Sequence, residues 1–174
     1  MRKLIVSLSL VLVAITMQAQ DFSKYENMRE VDAMVVTSNM FKLLAEIDVD
    51  SDDPEVKRYM QLIENLENIR VISTSNQQIG EEMLTDMNKY IANNALEKLM
   101  MLKEDGKNVK FYSKPGSKKN YVRQLVMLLS GQEEGKPITV ALSITGDIDI
   151  KEVSRLAKDL DVPGAEQLKK VENK

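Results

Sequence analysis

Histidine, cysteine and tryptophan are absent from this 174-residue chain, and proline and glycine are scarce, at four and seven residues. Without histidine or cysteine, the commonest general base, metal ligand and thiol nucleophile are all missing, which weighs heavily against an enzyme. No disulfide can form, and no cysteine is available to carry a lipid, so a lipoprotein anchor is excluded. The glycines stand singly, so there is no phosphate-cradling loop, and neither a G-x-S-x-G elbow nor an S-x-x-K pair occurs. Carboxylates, lysines and tyrosines remain, enough in principle for a glycosidase or lyase, but the carboxylate pairing that chemistry needs is not visible in sequence. No cofactor is expected. With 24 Lys+Arg against 27 Asp+Glu the chain is mildly acidic, and its net field offers no attraction to nucleic acid or anionic lipid.

What is present begins with Met1-Arg2-Lys3 followed by an apolar run from Leu4 to Ile15. A basic start, an apolar stretch too short to span a bilayer, and a neutral exit through Thr16-Met17-Gln18-Ala19 make a secretory signal peptide over 1–19, cut between Ala19 and Gln20. The chain is therefore expected to be exported, periplasmic or secreted, and free of the membrane once cut. The remainder is the size of one domain.

The organisation expected downstream is a polar lead at 20–30, one α+β domain at 31–162 and a flexible Lys-rich tail at 163–174. Ala33 to Thr37 reads as a strand, and Ser38 or Asn39 caps a short helix from Met40 to Ile47. Asp53-Pro54-Glu55 is a helix start, with Val56, Tyr59, Ile63 and Leu66 at helical spacing. Ile69 to Thr74 is a short strand. Leu84, Met87, Ile91, Ala95, Leu99 and Leu102 then recur at three- and four-residue steps, predicting a long helix ended by Gly106 that covers the sheet. Met100 and Met101 sit awkwardly there, because both cannot share one stripe with Leu99 and Leu102. Three strands follow, Val109 to Ser113, Tyr121 to Leu129 and Ile138 to Thr145, and then an amphipathic helix carrying Val153, Leu156, Ala157 and Leu160. The order predicts a two-layer sandwich: a mixed sheet ending in a three-stranded antiparallel meander, covered by helices on one face. In the last strand Thr139, Ala141, Ser143 and Thr145 alternate with apolar residues, which predicts an exposed face of small groups.

Three places invite a chemical reading. Asp48, Asp50 and Asp52 have the spacing of a calcium loop, but Asp53 replaces its glycine and Tyr59 its bidentate acid, so a solvated acidic loop is the simpler account. Lys114, Lys118 and Lys119 with Tyr112 and Tyr121 surround one hairpin; a charged hairpin tip explains them without a polyanion. The methionines mostly occupy apolar positions and read as adaptable core packing.

The third place is Gly146-Asp147-Ile148-Asp149. It predicts a tight strand-to-helix turn in which Gly146 supplies backbone freedom, Asp149 caps the helix with Glu152 as reciprocal partner, and Asp147 either bonds a backbone N–H two residues on or stands as the domain's functional carboxylate.

Val35-Val36-Thr37-Ser38-Asn39-Met40-Phe41-Lys42-Leu43-Leu44, Val109-Lys110-Phe111-Tyr112, Leu125-Val126-Met127-Leu128-Leu129 and above all Ile144-Thr145-Gly146-Asp147-Ile148-Asp149-Ile150 together resemble a family of small exported proteins of Bacteroidota catalogued as domain of unknown function 4252. The resemblance implies export and a domain of this size, and it supplies no catalytic residues. The resulting expectation is a non-catalytic exported domain that binds another macromolecule, a protein partner or a second copy, through the exposed sheet face. The alternative is a carboxylate-based ligand binder or enzyme centred near Asp147.

Overall fold

The computed structural model describes residues 22–45, 52–150 and 152. The signal peptide, Asp48 and Asp50, the helix expected from Val153 and the tail at 163–174 lie outside the described residues.

Ten elements follow one another: α1 (Ser23–Glu26), β1 (Asp32–Thr37), α2 (Ser38–Ala45), α3 (Pro54–Asn65), β2 (Leu66–Thr74), α4 (Gln77–Asn93), β3 (Glu97–Glu104), β4 (Lys107–Pro115), β5 (Tyr121–Glu133) and β6 (Lys136–Asp149). The strands form one six-stranded sheet in the order β1-β2-β6-β5-β4-β3. The fold is thus α+β, as expected, but every pairing is antiparallel, so the sheet is not mixed.

The helices cover both faces rather than one. Successive residues of β5 divide between two cores: Leu125, Met127 and Leu129 join Phe41 of α2 and Leu62 and Ile63 of α3, whereas Val126 and Leu128 join Tyr25 of α1 and Met83, Met87 and Ile91 of α4. Successive side chains of a strand point to opposite faces, so a strand covered on both sides reads as an unbroken apolar run. Leu125 to Leu129 and Val140 to Leu142 are such runs, buried throughout. The two-layer expectation is corrected to a sheet between two helical layers.

The small-residue face of β6 is likewise not exposed. Thr139, Ala141 and Ser143 are buried beneath α4. A Cβ placed on Gly80 of α4 would meet Thr139 Oγ1 at 2.5 Å, so glycine lets the helix backbone settle onto the strand. The polar groups there are satisfied internally: Gln124 Nε2 donates to Ser143 Oγ at 3.0 Å and to Tyr90 Oη at 2.8 Å.

The long helix ends earlier than its pattern predicts. Asn76 caps α4 by accepting from the Ile79 N–H at 3.1 Å, and the helix stops at Asn93, with Ala95 at φ 53° turning the chain away. Its buried residues are Gly80, Met83, Met87 and Ile91, of which Met87 and Ile91 belong to the predicted stripe, and Leu84 packs partly buried against the same core. Leu99 and Leu102 belong to β3, so the meander has four strands. Met100 and Met101 consequently face opposite sides of the sheet, one packed against the α2/α3 core and the other exposed. The β3–β4 hairpin closes through Asp105-Gly106, both at positive φ (49° and 74°), the two-residue turn that suits the twist of antiparallel strands.

The polar lead also contributes to the core. Phe22 and Tyr25 are buried, and the Tyr25 hydroxyl donates to Asp86 Oδ2 of α4 at 2.8 Å. Lys24 Nζ lies 2.6 Å from Glu82 Oε1 and 2.9 Å from Asp86 Oδ2. Hydrogen bonds to Glu82 and Asp86 raise the Lys24 pKa, the bond from Lys24 lowers that of Asp86, and burial pushes the Tyr25 phenol up to about 12.

Candidate functional site

Gly146 lies within β6, which continues to Asp149, so the segment expected to be a tight turn is strand. Tyr121 pairs with Asp149 and Val122 with Ile148. A Cβ on Gly146, at φ 149°, would overlap the Asn65 carbonyl oxygen where α3 passes directly into β2. Glycine there allows the end of α3 to rest on β6.

That approach builds an open cleft of about 340 Å³ across the end of the sheet. Arg58, Gln61, Leu62 and Asn65 of α3 form one wall, Lys118 and Tyr121 another, and Asp147, Asp149 and Glu152 the rest. The Tyr121 wall is fixed by backbone bonds: Gly116 N to Tyr121 O at 2.9 Å, Tyr121 N to Lys118 O at 3.1 Å, and Ile150 N to Asn120 O at 3.1 Å.

The expected backbone bond of Asp147 is replaced by one to a different hairpin. Ser117 Oγ lies 3.0 and 2.9 Å from the two Asp147 carboxylate oxygens. Asp149 ends the strand, with helix at Ile150 and Glu152, and Glu152 Oε1 lies 3.9 Å from Arg58 Nε. Lys118 Nζ sits 5.4 Å from the Tyr121 ring centroid, a cation–π contact. The cleft therefore combines three carboxylates, a guanidinium, an ammonium and side-chain amides, a lining suited to holding a polar, charged group.

The other singled-out residues disperse. Asp52 Oδ1 is bonded by Lys57 Nζ at 3.2 Å, and no group of three or more His, Cys, Asp or Glu poised for a metal occurs among the described residues. Of the hairpin patch, Tyr112 is buried against the α4 side, where burial raises its pKa, while Lys114 and Lys119 are exposed. Arg58, Gln61 and Asn65 were not foreseen, although their three- and four-residue steps mark one polar face of α3.

A second feature lies at the sheet edges. No strand pairs with the outer side of β1 or β3 among the described residues. β3 is guarded by a bulge between Lys98 and Met100 and by Glu97, Lys98, Lys103 and Glu104, devices that discourage edge pairing. β1 has no bulge, pairing with β2 without a register shift, and beyond Asp32 at its start Ala33-Met34-Val35-Val36-Thr37 carries no charge. Both edges expose apolar side chains, Val35 on β1 and Leu99 and Met101 on β3, but beside β1 the exposed surface extends onto the adjoining α2 through Met40 and Leu43, 49% and 61% exposed.

The family model described as a domain of unknown function, DUF4252, matches residues 25–156, a span that includes both the cleft and the open edge. No curated protein and no solved structure matches the chain.

Proposed function

We propose that this chain, which belongs to the DUF4252 family of domains of unknown function, is an exported, non-catalytic domain that binds another macromolecule along its open β1 edge. The observation that carries the reading is the contrast between the two edges of one sheet: β3 is bulged and carries four charges, whereas β1 pairs without a bulge and carries a single charge, Asp32, at its first residue. An edge of that kind offers a row of backbone donors and acceptors to an added strand, with side-chain contacts on alternate residues. Export, to the periplasm or the exterior, is supported by the basic and apolar character of the first 19 residues, and the resemblance to Bacteroidota proteins accords with it. No helix among the described residues is long and apolar enough to cross a membrane. The lack of histidine and cysteine supports a binding role over a catalytic one.

A second reading places a ligand in the cleft, favoured by the convergence of Asp147, Asp149 and Glu152 with Arg58 and Lys118. A photo-crosslinking residue introduced at Val35, and separately at Asp147, in the exported protein separates the two. A protein adduct from position 35 is expected. Adducts from position 147 alone would transfer the function to the cleft.

A further inference from the structure

The partner for which the β1 edge is best matched is a second copy of itself. We propose, resting on the edge reading above, that two chains join β1 to β1 antiparallel about a two-fold axis through Val35, making one continuous twelve-stranded sheet.

Symmetry narrows the choice of register. A two-fold that sets two copies of a strand antiparallel in one sheet runs perpendicular to that sheet, so each face continues as itself and only residues of the same face stand opposite. Ala33, Val35 and Thr37 share one face of β1 and Met34 and Val36 the other, the latter two packed against the α2/α3 core. With the axis at Val35, Val35 opposes Val35, Ala33 opposes Thr37 and Met34 opposes Val36. All five uncharged residues are matched on both faces. The one charge of the strand, Asp32, falls opposite Ser38 and far from its own copy, so no like charges meet across the seam.

The distribution of apolar surface selects a whole copy over a single added strand. Exposed apolar groups lie on α2 as well as on the edge, at Met40 and Leu43. A lone extended peptide ends with β1 and leaves α2 as exposed as before. A second copy sets its own α2 on the same face of the joined sheet, so that the apolar surface bearing Met40 and Leu43 continues on that face in both chains. The interface is isologous, with each patch serving as its own complement.

The chain contains no cysteine, so a single introduced thiol reports the register directly. Directly opposed residues of antiparallel strands have Cβ atoms about 4.5–5.5 Å apart, close to what a disulfide requires. The unaltered chain is expected to sediment as a dimer at tens of micromolar. Under mild oxidation Val35→Cys should form a covalent dimer. Ala33→Cys alone should not, whereas Ala33→Cys mixed with Thr37→Cys should give the heterodimer. Leu99→Cys, on the guarded edge, should stay monomeric. A monomeric unaltered chain whose Val35→Cys variant crosslinks no faster than Leu99→Cys would overturn the self-pairing. If the photo-crosslinker at Val35 then still captured a different protein, only the second copy would be lost; if it captured none, the edge reading would fail as well.

Discussion

Ser117 Oγ lies within 3.0 Å of both carboxylate oxygens of Asp147 and ties the turn between β4 and β5 to the last strand of the sheet. The pair is exposed, so its net contribution is small. Asp147→Ala and Ser117→Ala should each lower stability by about 0.5–1 kcal/mol, and the double variant should cost less than their sum. Asp147→Asn keeps an acceptor and should be nearly neutral. Chemical denaturation of the unaltered protein and the four variants measures this; full additivity would show that the bond is not formed in solution.

Gly80→Ala tests how closely α4 sits on the sheet. Helix propensity alone favours alanine by about 1 kcal/mol, but the new methyl would lie 2.5 Å from Thr139 Oγ1 and 3.1 Å from its Cβ. Overpacking of a buried contact costs about 1–3 kcal/mol, so the sum should be destabilising, and adding Thr139→Ala should recover part of the loss. A stabilised Gly80→Ala would mean that helix and strand are further apart than described.

Gly146→Ala and Gly131→Ala should each cost at least about 1–3 kcal/mol. Both glycines sit at strongly positive φ, and each new Cβ would overlap backbone, the Asn65 carbonyl in one case and the Gly106 carbonyl in the other. Gly135→Ala is the control: it shares the positive φ but has open space around it, so only the backbone strain should register. Thermal melts that place all three variants together would remove the argument that close approach dictates glycine at 131 and 146.

The group formed by Lys24, Tyr25 and Asp86 predicts the pH window in which α1 stays docked. The Asp86 carboxyl is lowered on folding, so its contribution is present above the unfolded value of about 3.9 and is lost as pH falls through the depressed folded one. Tyr25 and Lys24 are raised, so theirs are present below their unfolded values of about 10 and lost as pH rises, for Tyr25 through about 12. The melting temperature of Asp86→Asn should thus fall below that of the unaltered protein at neutral pH and converge with it in acid. A constant gap across that range would show that Asp86 does not titrate as described.

Much of the sheet was legible because β-rich runs bounded by turns are local signals: β1, β2 and β4 to β6 all lie close to where their sequences predict. β3 was misread because Leu99 and Leu102 extend the three- and four-residue steps of α4 by chance. Asp105-Gly106 was the available counter-signal, a hairpin turn followed by a strand. The second helical layer was hidden in β6, where small residues under a close-packed helix look the same in sequence as small residues facing water; Gly80 on the partner helix is what distinguishes them. For Asp147 the local expectation, a bond to a backbone N–H two residues on, gives way to a bond from a distant side chain. Its partner Ser117 is thirty positions away, and the α3 wall of its cleft is set by a tertiary approach at Gly146, which no local pattern records.

Amide hydrogen exchange of the unaltered chain at low and high protein concentration tests the central claim most directly, since it reads the backbone groups that an added strand would occupy. The outward-facing amides of β1 between Ala33 and Thr37 are predicted to gain protection as concentration rises, while those of β3 between Glu97 and Glu104 exchange at an unchanged rate. Equal, concentration-independent exchange at the two edges, or protection appearing on β3 instead, would contradict the account.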